Sequence, residues 1–112
     1  MCLFCRIASH EANARVVYED DEFVAFHDIR PQAPTHVLVI PRKHVQSLDH
    51  ADEKDEALLG KLLLRTRAIA RTLGLAEGGY RVVINTGEDA GQSVPHVHAH
   101  LVGGRSLGWP PG

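Results

Sequence analysis

Apolar positions change their period along the chain, and the changes divide it into elements. Leu3, Phe4 and Ile7 recur at helical spacing, which predicts a short N-terminal helix over residues 3–10. Two strand-like runs follow, residues 15–19 and 23–28, with the polar turn Asp20-Asp21-Glu22 between them. Pro31 and Pro34 make residues 29–35 a loop. Residues 36–40, His-Val-Leu-Val-Ile, are rich in β-branched side chains and read as a third strand, ended by Pro41. The period then becomes helical over residues 52–73. There Leu58, Leu62, Ile69 and Leu73 share a face, flanked by Leu59, Leu63 and Ala70. Acidic Asp52, Glu53, Asp55 and Glu56 crowd the start of that helix, while Lys61, Arg65, Arg67 and Arg71 fill its second half, an order that complements the helix dipole. Gly74 follows the last periodic residue as a C-cap. Residues 80–85 and 97–102 complete the pattern as strands.

Five strands with one long and one short helix predict an α+β fold with a mainly antiparallel sheet. The 112 residues suit a single domain spanning 1–112. One long helix covers one face of such a sheet, so we expect a second copy of the chain to cover what remains, giving a homodimer.

Composition narrows the function. Apolar residues make up 44% and charged residues 23%, the balance of a folded soluble domain. A formal net charge of −2 supplies no basic excess for nucleic acid or a membrane surface, so neither is an expected partner. No apolar run reaches membrane-spanning length and the first residues lack the form of a secretory signal, so the expected location is the cytoplasm. In that reducing setting Cys2 and Cys5, spaced C-x-x-C, are not expected to form a structural disulfide. No strand leads into the pair as a thioredoxin-like motif requires, which leaves half of a metal site or two buried thiols without metal.

The eight histidines are informative through their placement. His96-Val97-His98-Ala99-His100 alternates imidazoles with apolar residues. On a strand, His96, His98 and His100 then project from one face about 7 Å apart, with Val97, Ala99 and Leu101 toward the core. Such a row serves either catalysis or a three-histidine metal site, since neutral imidazole is both a nucleophile and a ligand. The preceding segment, residues 85–95, is polar and punctuated by glycine. Backbone N–H groups near Gly91 to Ser93, the Ser93 hydroxyl and the Asn85 and Gln92 amides are donors suited to phosphate oxygens.

The run Gly91-Gln92-Ser93-Val94-Pro95-His96-Val97-His98-Ala99-His100 resembles the signature of the histidine-triad (HIT) family, in particular its Hint branch of purine nucleoside phosphoramidases. The segments Ala25-Phe26-His27-Asp28-Ile29, Pro31-Gln32-Ala33-Pro34-Thr35-His36 and Val39-Ile40-Pro41-Arg42-Lys43-His44 match in the same order, and the Trp109-Pro110-Pro111-Gly112 tail is similar to that branch. The resemblance implies a HIT-like fold in which two five-stranded sheets join as ten strands in a homodimer. It implies hydrolysis of the P–N bond of purine nucleoside 5′-phosphoramidates, and of related acyl-adenylates, through a nucleotidyl-histidine. On this pattern His98 is the nucleophile, His100 and Ser93 contact the phosphate and assist the leaving group, and His36 and His96 orient them. Asp28 binds the ribose hydroxyls of an AMP- or GMP-type ligand. Phe4, Ile7, Phe26, His27 and Ile29 wall the purine, and Asn85, Gly91, Gln92, Ser93 and Val94 surround the phosphate. Trp109 reaches the partner's site. Other family members bind zinc through the same C-x-x-C and two histidines, which implies Cys2, Cys5, His44 and His96 as ligands of a structural zinc. No cofactor is needed for catalysis on this pattern. The alternatives are a dinucleoside polyphosphate hydrolase, or a zinc-bearing nucleotide sensor or scaffold.

Overall fold

Strand alternation builds two cores on one sheet. The computed structural model describes residues 2–112. Its strands are β1 (Val16–Glu19), β2 (Phe23–His27), β3 (Thr35–Pro41), β4 (Tyr80–Val83) and β5 (Ala99–Gly103). They lie in the order β1-β2-β3-β5-β4, every neighbouring pair antiparallel. Phe23, Ala25, Val37, Val39, Ala99 and Leu101 face the long helix α2 (Glu56–Thr72) and pack with its Leu62, Ile69 and Ala70. On the other face Val24, Phe26, Leu38 and Ile40 meet Phe4, Ile7 and Ala8 of the short helix α1 (Leu3–Ala8). The expected sheet and helices are therefore present, and neither helix is long and apolar enough to cross a membrane.

Boundaries differ where a local hydrogen bond overrides the apolar period. Residues 52–55 do not begin α2. They form a 3-10 turn in which the Asp52 side chain accepts from Lys54 N–H and Asp55 closes a capping box. Lys43 Nζ donates to Asp55 Oδ1 at 2.7 Å, tying that turn to the segment after β3. The far end of α2 behaves as expected. Gly74 has φ 77°, Gly74 N–H donates to the Arg71 carbonyl and Leu75 N–H to the Ala70 carbonyl, a Schellman closure that buries Leu75. Helix α1 stops at Ala8 rather than residue 10, because the chain turns through a left-handed conformation at His10 (φ 64°). Strand β4 ends at Val83 rather than at residue 85, and β5 begins at Ala99 rather than residue 97.

Leu62 is fully buried between α2 and the sheet, on the face away from α1. Leu62→Ala is expected to cost about 2–5 kcal/mol in denaturant unfolding while leaving ligand binding on the α1 face unchanged. An altered binding constant would show that the two faces are not separate.

Candidate functional site

The register between β3 and β5 assembles a polar group on the α1 face. Leu38 pairs with His100 and His36 with Val102, so His36 and His100 are diagonal neighbours. Their rings meet with His36 Nε2 2.9 Å from His100 Nδ1. Asp28 N–H donates to the His36 carbonyl and extends the β2–β3 ladder by one step, which brings Asp28 Oδ2 to 3.4 Å from His36 Nε2. His98 adjoins this pair, its ring centroid 5.0 Å from that of His100. Phe4 of α1 stands edge-on to His98 at 5.0 Å and to Phe26 at 5.4 Å, so an apolar wall flanks the imidazoles.

Hydrogen bonding fixes the tautomers in sequence. Gln32 N–H donates to His36 Nδ1, so the His36 proton is on Nε2 and is directed to His100 Nδ1, with Asp28 Oδ2 3.4 Å from the same nitrogen. With Nδ1 accepting, His100 carries its own proton on Nε2. His98 Nδ1–H donates to the His96 carbonyl at 2.7 Å, which leaves a lone pair on His98 Nε2. This is the arrangement of a neutral imidazole nucleophile.

The three imidazoles share the α1 face as alternation predicts, but not as an evenly spaced strand row. Only His100 lies in β5, while residues 96–98 precede the strand. After Pro95, His96 N–H turns back to the Val94 carbonyl and Val97 N–H bonds to the Val45 carbonyl. The fully buried His96 ring is then directed toward α1. His96 Nε2–H donates to the Pro41 carbonyl at 2.7 Å, leaving the Nδ1 lone pair facing two sulfurs and a second imidazole. Cys2 Sγ and Cys5 Sγ are 3.3 Å apart, and His96 Nδ1 lies 3.3 Å and 3.5 Å from them. His44 Nδ1 lies 3.6 Å and 3.3 Å from the same sulfurs and 3.2 Å from His96 Nδ1. A tetrahedron of ligands about 2.0–2.3 Å from zinc has edges of about 3.3–3.8 Å, so the four donor atoms fit that geometry. The row of imidazoles thus divides: His98 and His100 remain with His36, and His96 joins the four-atom cluster.

Other expected site residues divide as well. Ile7 is buried beside Phe4 in the α1-side core, and Val94 packs against the same core. His27 ends β2 opposite Val37, a residue of the α2-side core, so alternation sets it on the other face from Phe26. Ile29 is 92% exposed beyond β2 and does not join the wall. Asn85 lies just past β4, Gly91 has φ 79°, and Ser93 is exposed on the same loop. The Gln92 amide is occupied: Nε2 donates to the Gln46 and Val94 carbonyls and Oε1 accepts from Gly87 N–H. Gln92 braces the loop rather than presenting its amide to a ligand. The Gly91 and Gln92 N–H groups likewise close turns onto Glu88 and Gly87. Trp109 is 82% exposed and lies over Arg81 of β4, at the sheet edge. The role of Gln92 as a brace was not legible beforehand, because its partners are backbone carbonyls that the residue pattern does not display.

Burial governs the site's protonation. Desolvation pushes His98 below the usual imidazole range. It pushes His100 down to about 4, with the neighbouring His98 and His36 rings adding to the effect and Asp28 opposing it. Both are neutral near pH 7. Asp20, in the β1–β2 turn, is also held below the carboxylate range: burial raises it, but bonds from Tyr18, Arg65 and the Glu22 and Phe23 N–H groups outweigh that. Both kinds of group destabilise the folded chain in acid. For His100 the unfolded state binds its proton from about pH 6.5 downward while the folded state does not until about pH 4, so stability falls across that window. The difference amounts to about 3 kcal/mol. Urea unfolding at pH 7 and pH 5 is expected to show a lower midpoint at pH 5; equal midpoints would contradict the desolvation of the site.

A model of the HIT domain matches residues 9–107. The chain belongs to the HIT domain family. An uncharacterized HIT-like protein of Synechococcus elongatus is 54% identical over 110 residues, covering 98% of this chain and 96% of the relative. The crystal structure of a HIT family hydrolase from Legionella pneumophila superposes with a TM-score of 0.98 at 50% identity, each chain fully covered. A histidine triad protein from Clostridium difficile superposes with a TM-score of 0.93 at 40% identity, covering 96% of this chain and 93% of that one. This HIT domain therefore has the fold of the HIT family hydrolases.

Proposed function

We propose that this HIT domain hydrolyses the P–N bond of purine nucleoside 5′-phosphoramidates, and related acyl-adenylates, through a nucleotidyl-His98 intermediate. The observation that carries the reading is the bond from His98 Nδ1–H to the His96 carbonyl, which leaves Nε2 as an unprotonated nucleophile on a buried face. His98 Nε2 attacks the α-phosphorus, the P–N bond breaks, and the leaving nitrogen takes a proton. The Nε2–H of His100 and the Ser93 hydroxyl, two and five residues from the nucleophile, can hold phosphate oxygens or pass a proton. Water then attacks the phosphorus, releasing the nucleoside monophosphate and restoring His98. Asp28, beside His36 and 18% exposed, accepts ribose hydroxyls. Phe4 and Phe26 supply the wall for the base.

The same reading assigns Cys2, Cys5, His44 and His96 to a structural zinc ion, supported by the spacing of their four donor atoms. When bound, zinc supplies a cross-link between α1 and the segments after β3 and before β5. A homodimer joined along β4 into ten strands gives exposed Tyr80 and Val82 a partner and brings Trp109 toward the other copy's pocket.

Adenosine 5′-phosphoramidate and a diadenosine polyphosphate, assayed side by side, separate the proposed activity from its nearest alternative. Amine release with kcat/KM at least tenfold above that for the dinucleotide is expected. The reverse preference would assign the site to polyphosphate hydrolysis, and turnover of neither would favour a nucleotide sensor.

A further inference from the structure

The four-residue cluster is linked to the nucleophile by two short paths. The first is His96 itself: its ring nitrogen faces the cysteines, and its carbonyl, in the same residue, holds His98 Nδ1 at 2.7 Å. The second is α1. Phe4 lies between Cys2 and Cys5 in sequence, and its ring is edge-on to His98 at 5.0 Å and to His96 at 6.0 Å. With six residues, α1 is too short to persist by its own hydrogen bonds. Its C-terminal end is held by Arg42, which donates to the Ala8 carbonyl, and its N-terminal end is held at the cluster. His44 is exposed, and its partners among the described residues are Cys2, Cys5 and His96.

We propose that the cluster positions the nucleotide site, with His44 a positioning residue that acts on His98 through His96 and on the base wall through Phe4. This rests on the zinc and hydrolase readings above. A metal held by all four residues restrains the His96 backbone as well as its ring, so the His98 tautomer stays fixed. It also pins the start of α1, so Phe4 stays against His98. Without it, His98 exchanges its proton between the two ring nitrogens and Phe4 withdraws. The first effect lowers kcat and the second raises KM. A partner one step removed from a functional group, when lost, typically costs about 10- to 100-fold.

The experiment compares the native chain with His44→Ala, His44→Cys and Leu62→Ala. Zinc content is measured together with kcat and KM on adenosine 5′-phosphoramidate, AMP affinity, and the ¹⁵N shifts of the His98 ring. His44→Ala is expected to lose zinc, to fall about 10- to 100-fold in kcat/KM with both parameters affected, and to show an averaged tautomer at His98. His44→Cys, which restores a zinc ligand, is expected to recover all three readouts. Leu62→Ala lowers stability without moving them. If His44→Ala fails to fold, native protein stripped with dipicolinate and then reloaded with zinc gives the same comparison. Unchanged kinetics and His98 shifts in zinc-free protein would overturn the proposal, as would equal losses in Leu62→Ala. A native chain that binds no zinc overturns both the metal reading and this proposal, while its turnover still tests the hydrolase reading. A chain that binds zinc but lacks turnover removes the hydrolase reading alone; AMP affinity and the His98 shifts then decide the positioning.

Discussion

His98→Asn is expected to reduce phosphoramidate hydrolysis by about 10⁴-fold or more while leaving the fold and AMP binding in place. The asparagine amide keeps a donor where His98 Nδ1–H meets the His96 carbonyl, so the backbone path into β5 is preserved. What disappears is Nε2, and with it any covalent route to the nucleotide. His100→Asn is expected to cost less, about 10²–10³-fold, because it removes a donor to the phosphate and leaving group rather than the atom that bonds to phosphorus. Steady-state assays of both variants, with circular dichroism as the check on folding, test this ordering. A His98→Asn enzyme within tenfold of native activity would remove the nucleophile assignment.

On the zinc assignment proposed above, stripping the metal is expected to have a large effect on stability. A ligand present at about 1,000 times its dissociation constant stabilises the state that binds it by about 4 kcal/mol. For a domain of this size that is a fall in Tm on the order of 10 °C or more. Cys2, Cys5, His44 and His96 come from three separate stretches of chain, so their cross-link is lost from the folded state as a whole. Differential scanning calorimetry of native and dipicolinate-treated protein, with zinc added back to the second, measures the shift. Coincident transitions would show that the four donors meet without a metal. The two predictions separate experimentally, since zinc loss is expected to lower stability and His98→Asn is not.

Much of this organisation is written in the order of residues. Strand alternation correctly placed Ala99 and Leu101 in the core and set His100 on the opposite face, where it meets His36. Gly74 marked the end of α2 because a left-handed residue was needed there. Alternation also set His96, His98 and His100 on the α1 face, but not at even spacing, because strand period describes a residue only while the ladder continues. Pro95 and the turn from His96 N–H to the Val94 carbonyl precede the ladder and redirect His96. The expectation that His96 pairs with Cys2, Cys5 and His44 came from resemblance, and the fold brings those four together although residues 2 and 96 are far apart in sequence. Gln92 illustrates the remaining limit. Its amide was read as a phosphate donor from its loop, yet three backbone partners already occupy it. Ile29, expected in the purine wall, stands in solvent in the single chain, and Trp109, expected to reach the partner's site, is likewise exposed there.

The central claim is a covalent bond between a nucleotide and His98 Nε2. Rapid quench in alkaline denaturant of native protein mixed with adenosine 5′-phosphoramidate, followed by peptide mass spectrometry, tests it most directly. The account predicts one adenylyl group on the peptide containing residues 96–100, with fragmentation assigning it to His98, and none in His98→Asn. Turnover without an adduct under conditions where hydrolysis of the nucleotidyl-histidine is slower than its formation, or an adduct on His36 or His100, would contradict it.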